Sequence, residues 1–211
     1  MFGRPHPAED YLEQVRDLGI VKAAALVMAP KGDLELTSQL NDLTLALGDR
    51  SAGFFFPVCS VHPNDGEEAL DELRRVAREG ARWLKLHPIT QDFDVADPRV
   101  TSVVQEASRH NIPVLFDAYC PWDPAQPGKF IQLARQVPSS RLILAHAHGP
   151  NFIDLLAHEI SCSNALVATP GVVRHLRNRC PLVRWASRRA VRMGTQEGRH
   201  RPDPLREPLP L

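Results

Sequence analysis

Between Val21 and Ala147 one pattern recurs five times: a short apolar, partly β-branched run, then a longer stretch with the periodicity of an amphipathic helix. The runs are Val21–Ala29, Gly53–Val61, Ala81–His87, Ile112–Asp117 and Arg141–Ala147. Their starts are separated by 32, 28, 31 and 29 residues, the length of one strand–helix unit. A stretch as continuously apolar as Leu142-Ile143-Leu144-Ala145 fits a strand covered on both faces, as in a parallel sheet. Consecutive parallel strands with right-handed crossovers either close into a barrel or stay open as a doubly wound sheet, and spacing alone leaves both. An eight-stranded barrel takes about 250 residues, whereas this chain has 211. Five strands are clear and a candidate sixth lies at Asn164–Thr169. The fold expected is therefore α/β, about five to six parallel strands with helices outside, either an open doubly wound sheet or an incomplete, TIM-barrel-like (β/α)8 arrangement.

The helices carry their own punctuation. Asp65 followed by Glu68 is a helix start, Ala69, Leu70, Leu73, Val76 and Ala77 form one apolar stripe, and Gly80 ends it. Asp97-Pro98 opens the next helix, with Val100, Val103, Val104 and Ala107 inward and Asn111 as the stop. Ahead of the first strand, Ala8–Leu18 reads as a helix with Tyr11, Leu12, Val15 and Leu18 on one side. A chain that opens on a helix in this arrangement is expected to have lost the strand before it.

Charge divides the chain. The formal net charge is zero, yet Arg174–Leu211 holds ten Arg, no Lys and three acids (Glu197, Asp203, Glu207), a net of +7. The remainder carries 15 basic and 22 acidic residues, a net of −7. Residues 1–165 are read as a partial barrel domain. Residues 166–211 are read as an Arg- and Pro-rich tail, poorly ordered or divergent. That tail has no interleaved aromatics or recognition element, so no nucleic-acid partner is expected. No apolar run reaches the length of a membrane span, and the N-terminus lacks a signal-peptide core. The expected location is cytoplasmic, with no membrane partner. Cys59, Cys120, Cys162 and Cys180 form no CxxC pair and demand no oxidising compartment.

In parallel α/β proteins ligands bind beyond the carboxyl ends of the strands. Those ends read Ser60-Val61-His62-Pro63, Lys85-Leu86-His87-Pro88, Phe116-Asp117-Ala118-Tyr119 and Ala145-His146-Ala147-His148-Gly149. Three carry histidine and the fourth a carboxylate, a set that can form a polar mouth for a divalent metal and a water. Side chains alternate along a strand, so Lys85 and His87 share one face. A buried Lys85 or Asp117 needs a partner, because an unpaired charge there is costly. There is no phosphate-binding GxxxxGK[ST], no GxGxxG after a strand and no GxSxG elbow.

These residues carry a resemblance. Gly80-Ala81-Arg82-Trp83-Leu84-Lys85-Leu86-His87-Pro88, with Gln91-Asp92-Phe93 and Asp97-Pro98-Arg99, is similar to the fourth-strand region of the amidohydrolase-related family, which includes aminocarboxymuconate-semialdehyde-decarboxylase-like barrels. Ile112–Phe116 is similar to its fifth strand. Leu142-Ile143-Leu144-Ala145-His146-Ala147 is similar to its sixth, where the family has an LAHxGG-like ending. The resemblance covers roughly residues 8–160. It implies a divalent metal, zinc or manganese, that polarises the substrate or activates water. It also implies a small organic substrate and hydrolysis of a C–N or C–O bond, with non-oxidative decarboxylation as the alternative.

The departures bear on the metal. The family's first-strand His-x-His has no counterpart, Asp117 replaces the fifth-strand histidine, and the eighth-strand aspartate is missing. A chain with these changes is expected to bind metal weakly or not at all, with impaired turnover. The site residues expected are His146 and Asp117 as catalytic groups and metal ligands, with Lys85, His87 and His148 for substrate. The rival readings are an inactive binding module whose open sheet edges are covered by a second copy (a homo-oligomer), and a small doubly wound domain that binds an anion.

Overall fold

The computed structural model describes residues 19–120, 122–146 and 165–167, together with Leu12. In chain order the elements are β1 (Ala23–Leu26), α1 (Leu34–Arg50), β2 (Phe55–Ser60), a 3-10 turn (Pro63–Asp65), α2 (Glu67–Arg78), β3 (Trp83–Leu86), α3 (Pro98–Arg109), β4 (Val114–Asp117), α4 (Gln126–Gln136), β5 (Leu142–Ala145) and β6 (Ala165–Val167). The six strands form one sheet in sequence order, every neighbouring pair parallel. All five predicted runs are strands, and β6 lies within the candidate sixth. The architecture is a TIM-barrel-like α/β arc, with β1 and β6 at its ends among the described residues.

Alternation along the strands builds the two faces. Leu84, Leu86, Val114, Phe116, Leu142 and Leu144 are buried on the helix side. There Phe116 meets Phe130 of α4 edge to face at 5.1 Å, and Val100, Val103, Val104 and Ala107 supply the buried stripe of α3. The opposite, concave face carries Trp83, Leu115, Ile143 and Ala145 as one apolar layer. Lys85 and Asp117 stand on that same face, each two residues further along its strand than Trp83 and Leu115. The sheet itself thus lifts both charged groups to the carboxyl-end rim.

Helix ends follow local chemistry. Asp97 caps α3 through its side chain to the Arg99 N–H, with Pro98 in the first turn, and Asn111 stops the chain beyond it in the left-handed region (φ 58°). The predicted Asp65 cap of α2 is corrected. Pro63 starts a separate 3-10 turn that takes in Asp65, and Gly66, at φ 66°, becomes the residue before α2. The Asp65 carboxylate instead accepts the Gly32 N–H at 2.9 Å, tying down the loop after β1.

Helix α1 docks through a polar face. Asn41, fully buried, accepts the Ser60 N–H (2.9 Å) and donates to the Ser60 carbonyl (3.0 Å) and Glu72 (2.8 Å). The approach is close: a Cβ on Gly48 would lie 3.1 Å from Pro57 Cδ. Of the predicted helix at Ala8–Leu18 only Leu12 is described, and it is helical. Of the Arg- and Pro-rich segment 166–211 only residues 166 and 167, in β6, are described.

Candidate active site

Strands β3, β4 and β5 end side by side, and side chains at or just beyond their ends meet on one oxygen. Asp117 closes β4; its Oδ2 lies 3.1 Å from His146 Nε2, 3.3 Å from His87 Nε2 and 3.9 Å from Lys85 Nζ. Its Oδ1 accepts the Tyr119 N–H at 3.2 Å. The predicted residues Lys85, His87, Asp117 and His146 are thus brought together. His148 lies outside the described residues.

The electrostatics follow from depth. Lys85 is 5% exposed; burial lowers its pKa below the usual lysine value, and the neighbouring Asp117 carboxylate opposes that shift. Burial also lowers the pKa of His87, against the pull of Asp117, while Lys85 and His146 push it further down. The lowered pKa favours the neutral imidazole of His87. Its Nδ1 accepts the Thr90 N–H at 3.3 Å, which places the ring proton on Nε2, facing Asp117. His146 differs: its side chain is 44% exposed and its backbone sits at φ 62°. A non-glycine residue held in the left-handed region costs about 1–2 kcal/mol. Such conformations concentrate at functional sites.

A support beneath the cluster escaped sequence reading. Gln91, 5% exposed, donates from Nε2 to the carbonyls of Ala29 (2.9 Å) and Val61 (3.1 Å) and accepts the His87 N–H on Oε1 (2.8 Å). One amide therefore ties the ends of three strands and fixes the backbone of His87. No pattern could have revealed it, because its partners are backbone groups 62, 30 and 4 residues away. His62 belongs to the same knot. Its Nδ1 accepts the Asn64 N–H, so its Nε2 donates to the Gln91 carbonyl at 2.6 Å. It is 1% exposed, a structural histidine. Beside the rim, Tyr119 and Trp122 stand 45% and 66% exposed with rings edge to face at 6.5 Å. Cys59 is no nucleophile: burial, helped by Glu72, pushes its thiol up to about 12.

Two imidazole nitrogens and a carboxylate oxygen are donors of the kind zinc and manganese accept. Here they are committed to one another, and the Lys85 ammonium adds a cation beside the same oxygen. Among the described residues no three His, Cys, Asp or Glu side chains are placed to hold a metal ion. As placed, the four residues form a carboxylate ringed by hydrogen-bond donors.

The family model described as Amidohydrolase matches residues 1–207, which extends through the segment that composition sets apart. No curated protein matches the chain. Among solved structures, an uncharacterised TIM-barrel protein from Bordetella bronchiseptica superposes with a TM-score of 0.61 at 18% identity, over 76% of this chain and 58% of that one. An amidohydrolase II structure gives a TM-score of 0.60 at 14% identity, over 82% of this chain and 71% of that one. A 5-carboxyvanillate decarboxylase from Novosphingobium aromaticivorans, complexed with manganese and 4-hydroxy-3-methoxy-5-nitrobenzoic acid, gives 0.59 at 17% identity, over 72% of this chain and 53% of that one. The chain thus spans little more than half the length of the first and third. At these identities the likeness establishes the fold. No helix among the described residues is long and apolar enough to cross a membrane.

Proposed function

Because the chain belongs to the amidohydrolase family, we propose that its rim cluster is the acid–base centre of a lyase-type reaction, the non-oxidative decarboxylation of a small aromatic acid. One observation carries this reading: Lys85 and His87 at the end of β3 and His146 at the end of β5 converge on Oδ2 of Asp117, which closes β4 between them. Lys85, whose ammonium has N–H groups beyond the one facing Asp117, gives a cationic floor for a substrate carboxylate. His146, the most exposed of the four, is oriented by Asp117 and reaches outward to move a proton. The exposed rings of Tyr119 and Trp122 supply an apolar wall beside it. The Novosphingobium relative is a decarboxylase, and solved relatives with that activity include one complexed with 2,6-dihydroxybenzoate.

Hydrolysis of a C–N or C–O bond by the same centre is the second reading, since the family model carries that name. The cofactor either reading would take is zinc or manganese, the latter bound by the Novosphingobium relative. The roles above are those of the side chains themselves. His148 is retained as a substrate contact on the sequence pattern alone.

A panel of hydroxybenzoic acids tests this with the purified full chain, with and without added zinc or manganese. In D2O, release of CO2 with one deuterium retained on the product ring is the expected result. His146→Ala should lower that rate by about 100-fold or more. A product carrying solvent oxygen would favour hydrolysis. No turnover of any acid, amide or ester would remove the catalytic reading altogether.

A further inference from the structure

Helix α1 carries a second apolar face that its own sheet does not use. Thr37, Asn41, Thr44, Leu45 and Gly48 are its buried residues. Leu36, Leu40, Leu43 and Leu47 are spaced four, three and four apart, which at about 100° per residue confines them to a stripe about 60° wide. Leu36 and Leu43 are 40% and 61% exposed, and Leu40 and Leu47 are half-buried. The flank on the other side of α1 is taken by α2, through Asn41 with Glu72 and Asp42 with Arg75. The leucine stripe points away from α2, past the edge strand β1, where no other described helix packs.

We propose that this stripe is a docking surface for a second copy of the same chain, with the two α1 helices antiparallel about a twofold axis. The order of residues is what selects that occupant. A twofold interface needs a self-complementary face, on which residue i meets j while j meets i. Read about the midpoint between Asn41 and Asp42, α1 has this property. Leu40 falls opposite Leu43, Leu36 opposite Leu47, and Asp33 opposite Arg50; the residue numbers in each pair add to 83. The apolar centre meets itself, and each end brings a carboxylate to a guanidinium. Asp33 uses Oδ1 to cap the Leu36 N–H, which leaves Oδ2 for Arg50 of the second copy. Association through this face leaves the rim cluster, at the carboxyl ends of β3 to β5, uncovered by α1.

Light scattering on the full-length chain after size exclusion, under reducing conditions from about 1 to about 100 μM, tests the proposal. The expected result is a concentration-dependent dimer that Leu43→Glu weakens by at least about tenfold with its far-ultraviolet circular dichroism unchanged. Arg50→Glu and Asp33→Lys should each weaken self-association, and mixing the two variants should restore it, since both end pairs are then complementary. A chain that stays monomeric throughout overturns the proposal. So does a dimer indifferent to Leu43→Glu. A monomer in which Leu43→Glu lowers the melting temperature assigns the stripe to the amphipathic segment 8–18 of the same chain, and likewise overturns it.

Discussion

Two carboxylates in this protein each gather three basic groups, and they do different things. Glu106, 4% exposed, takes Arg74 Nε (3.1 Å), Arg109 Nη1 (2.7 Å) and His110 Nε2 (3.1 Å) on its two oxygens. Two of these donors come from its own helix or the residue after it, one turn away, and the third reaches across from α2. The result is a staple between adjacent outer helices. Asp117 takes donors from β3 and β5, 32, 30 and 29 residues away, all on one oxygen and at an open rim. A buried acid with several basic partners is therefore no sign of an active site by itself. Position at the strand ends, crowding on one oxygen and the left-handed His146 are what set Asp117 apart.

The sharpest way to break this comparison is to neutralise each acid. Asp117→Asn should abolish the proposed turnover, by about 100-fold or more, and leave Lys85 buried beside an amide. Should activity survive at more than a tenth of the native rate, Asp117 is a structural acid like Glu106. Glu106→Ala should leave turnover unchanged and destabilise the fold by about 2 kcal/mol in urea unfolding, since Arg74 keeps Glu67 and Asp71 as partners and Arg109 returns to water. A loss of activity at native stability would link Glu106 to the rim.

Backbone strain gives a smaller and separate contrast. At φ 62° glycine is free of the clash that His146 or alanine suffers. His146→Gly should accordingly be more stable than His146→Ala by about 1 kcal/mol in thermal unfolding. Equal stabilities would mean that the chain relaxes there without its histidine.

The smallest effect is in pH. Burial pushes Glu106 up, but Arg74, Arg109 and His110 together draw it below its ordinary value of 4.5. A depressed carboxylate contributes stability that is fully present above the unfolded value and lost as pH falls through the folded one. Native protein should therefore lose more melting temperature between about pH 5 and pH 3 than Glu106→Gln does. Parallel acid profiles would show that the staple contributes nothing.

How much of this was legible beforehand depends on where each interaction is encoded. The strands and the meeting of Lys85, His87, Asp117 and His146 follow from local periodicity plus one topological rule, that parallel strands end on the same side. The resemblance to amidohydrolases was readable from the same strand ends. The Asp65 cap was misread because Gly66 and Pro63 made a turn that a carboxylate two positions earlier could not announce. Gln91 was invisible as a support for a different reason: its partners are carbonyls and an N–H, which every residue has. The tautomer of His87 likewise depends on a single N–H at Thr90. Fold and rim are written in side-chain pattern, whereas orientation is written in backbone contacts.

The knot at Gln91 has a consequence for how such a protein can change. The span from His87 to Gln91 folds back on itself, with the Gln91 N–H on the His87 carbonyl at 2.9 Å and the amide returning to the His87 N–H. The imidazole is therefore held before the loop beyond Phe93 begins. Residues further along can be lengthened, shortened or exchanged without dragging the ring from its carboxylate. New entrances can evolve, or be grafted, over chemistry that stays where it was.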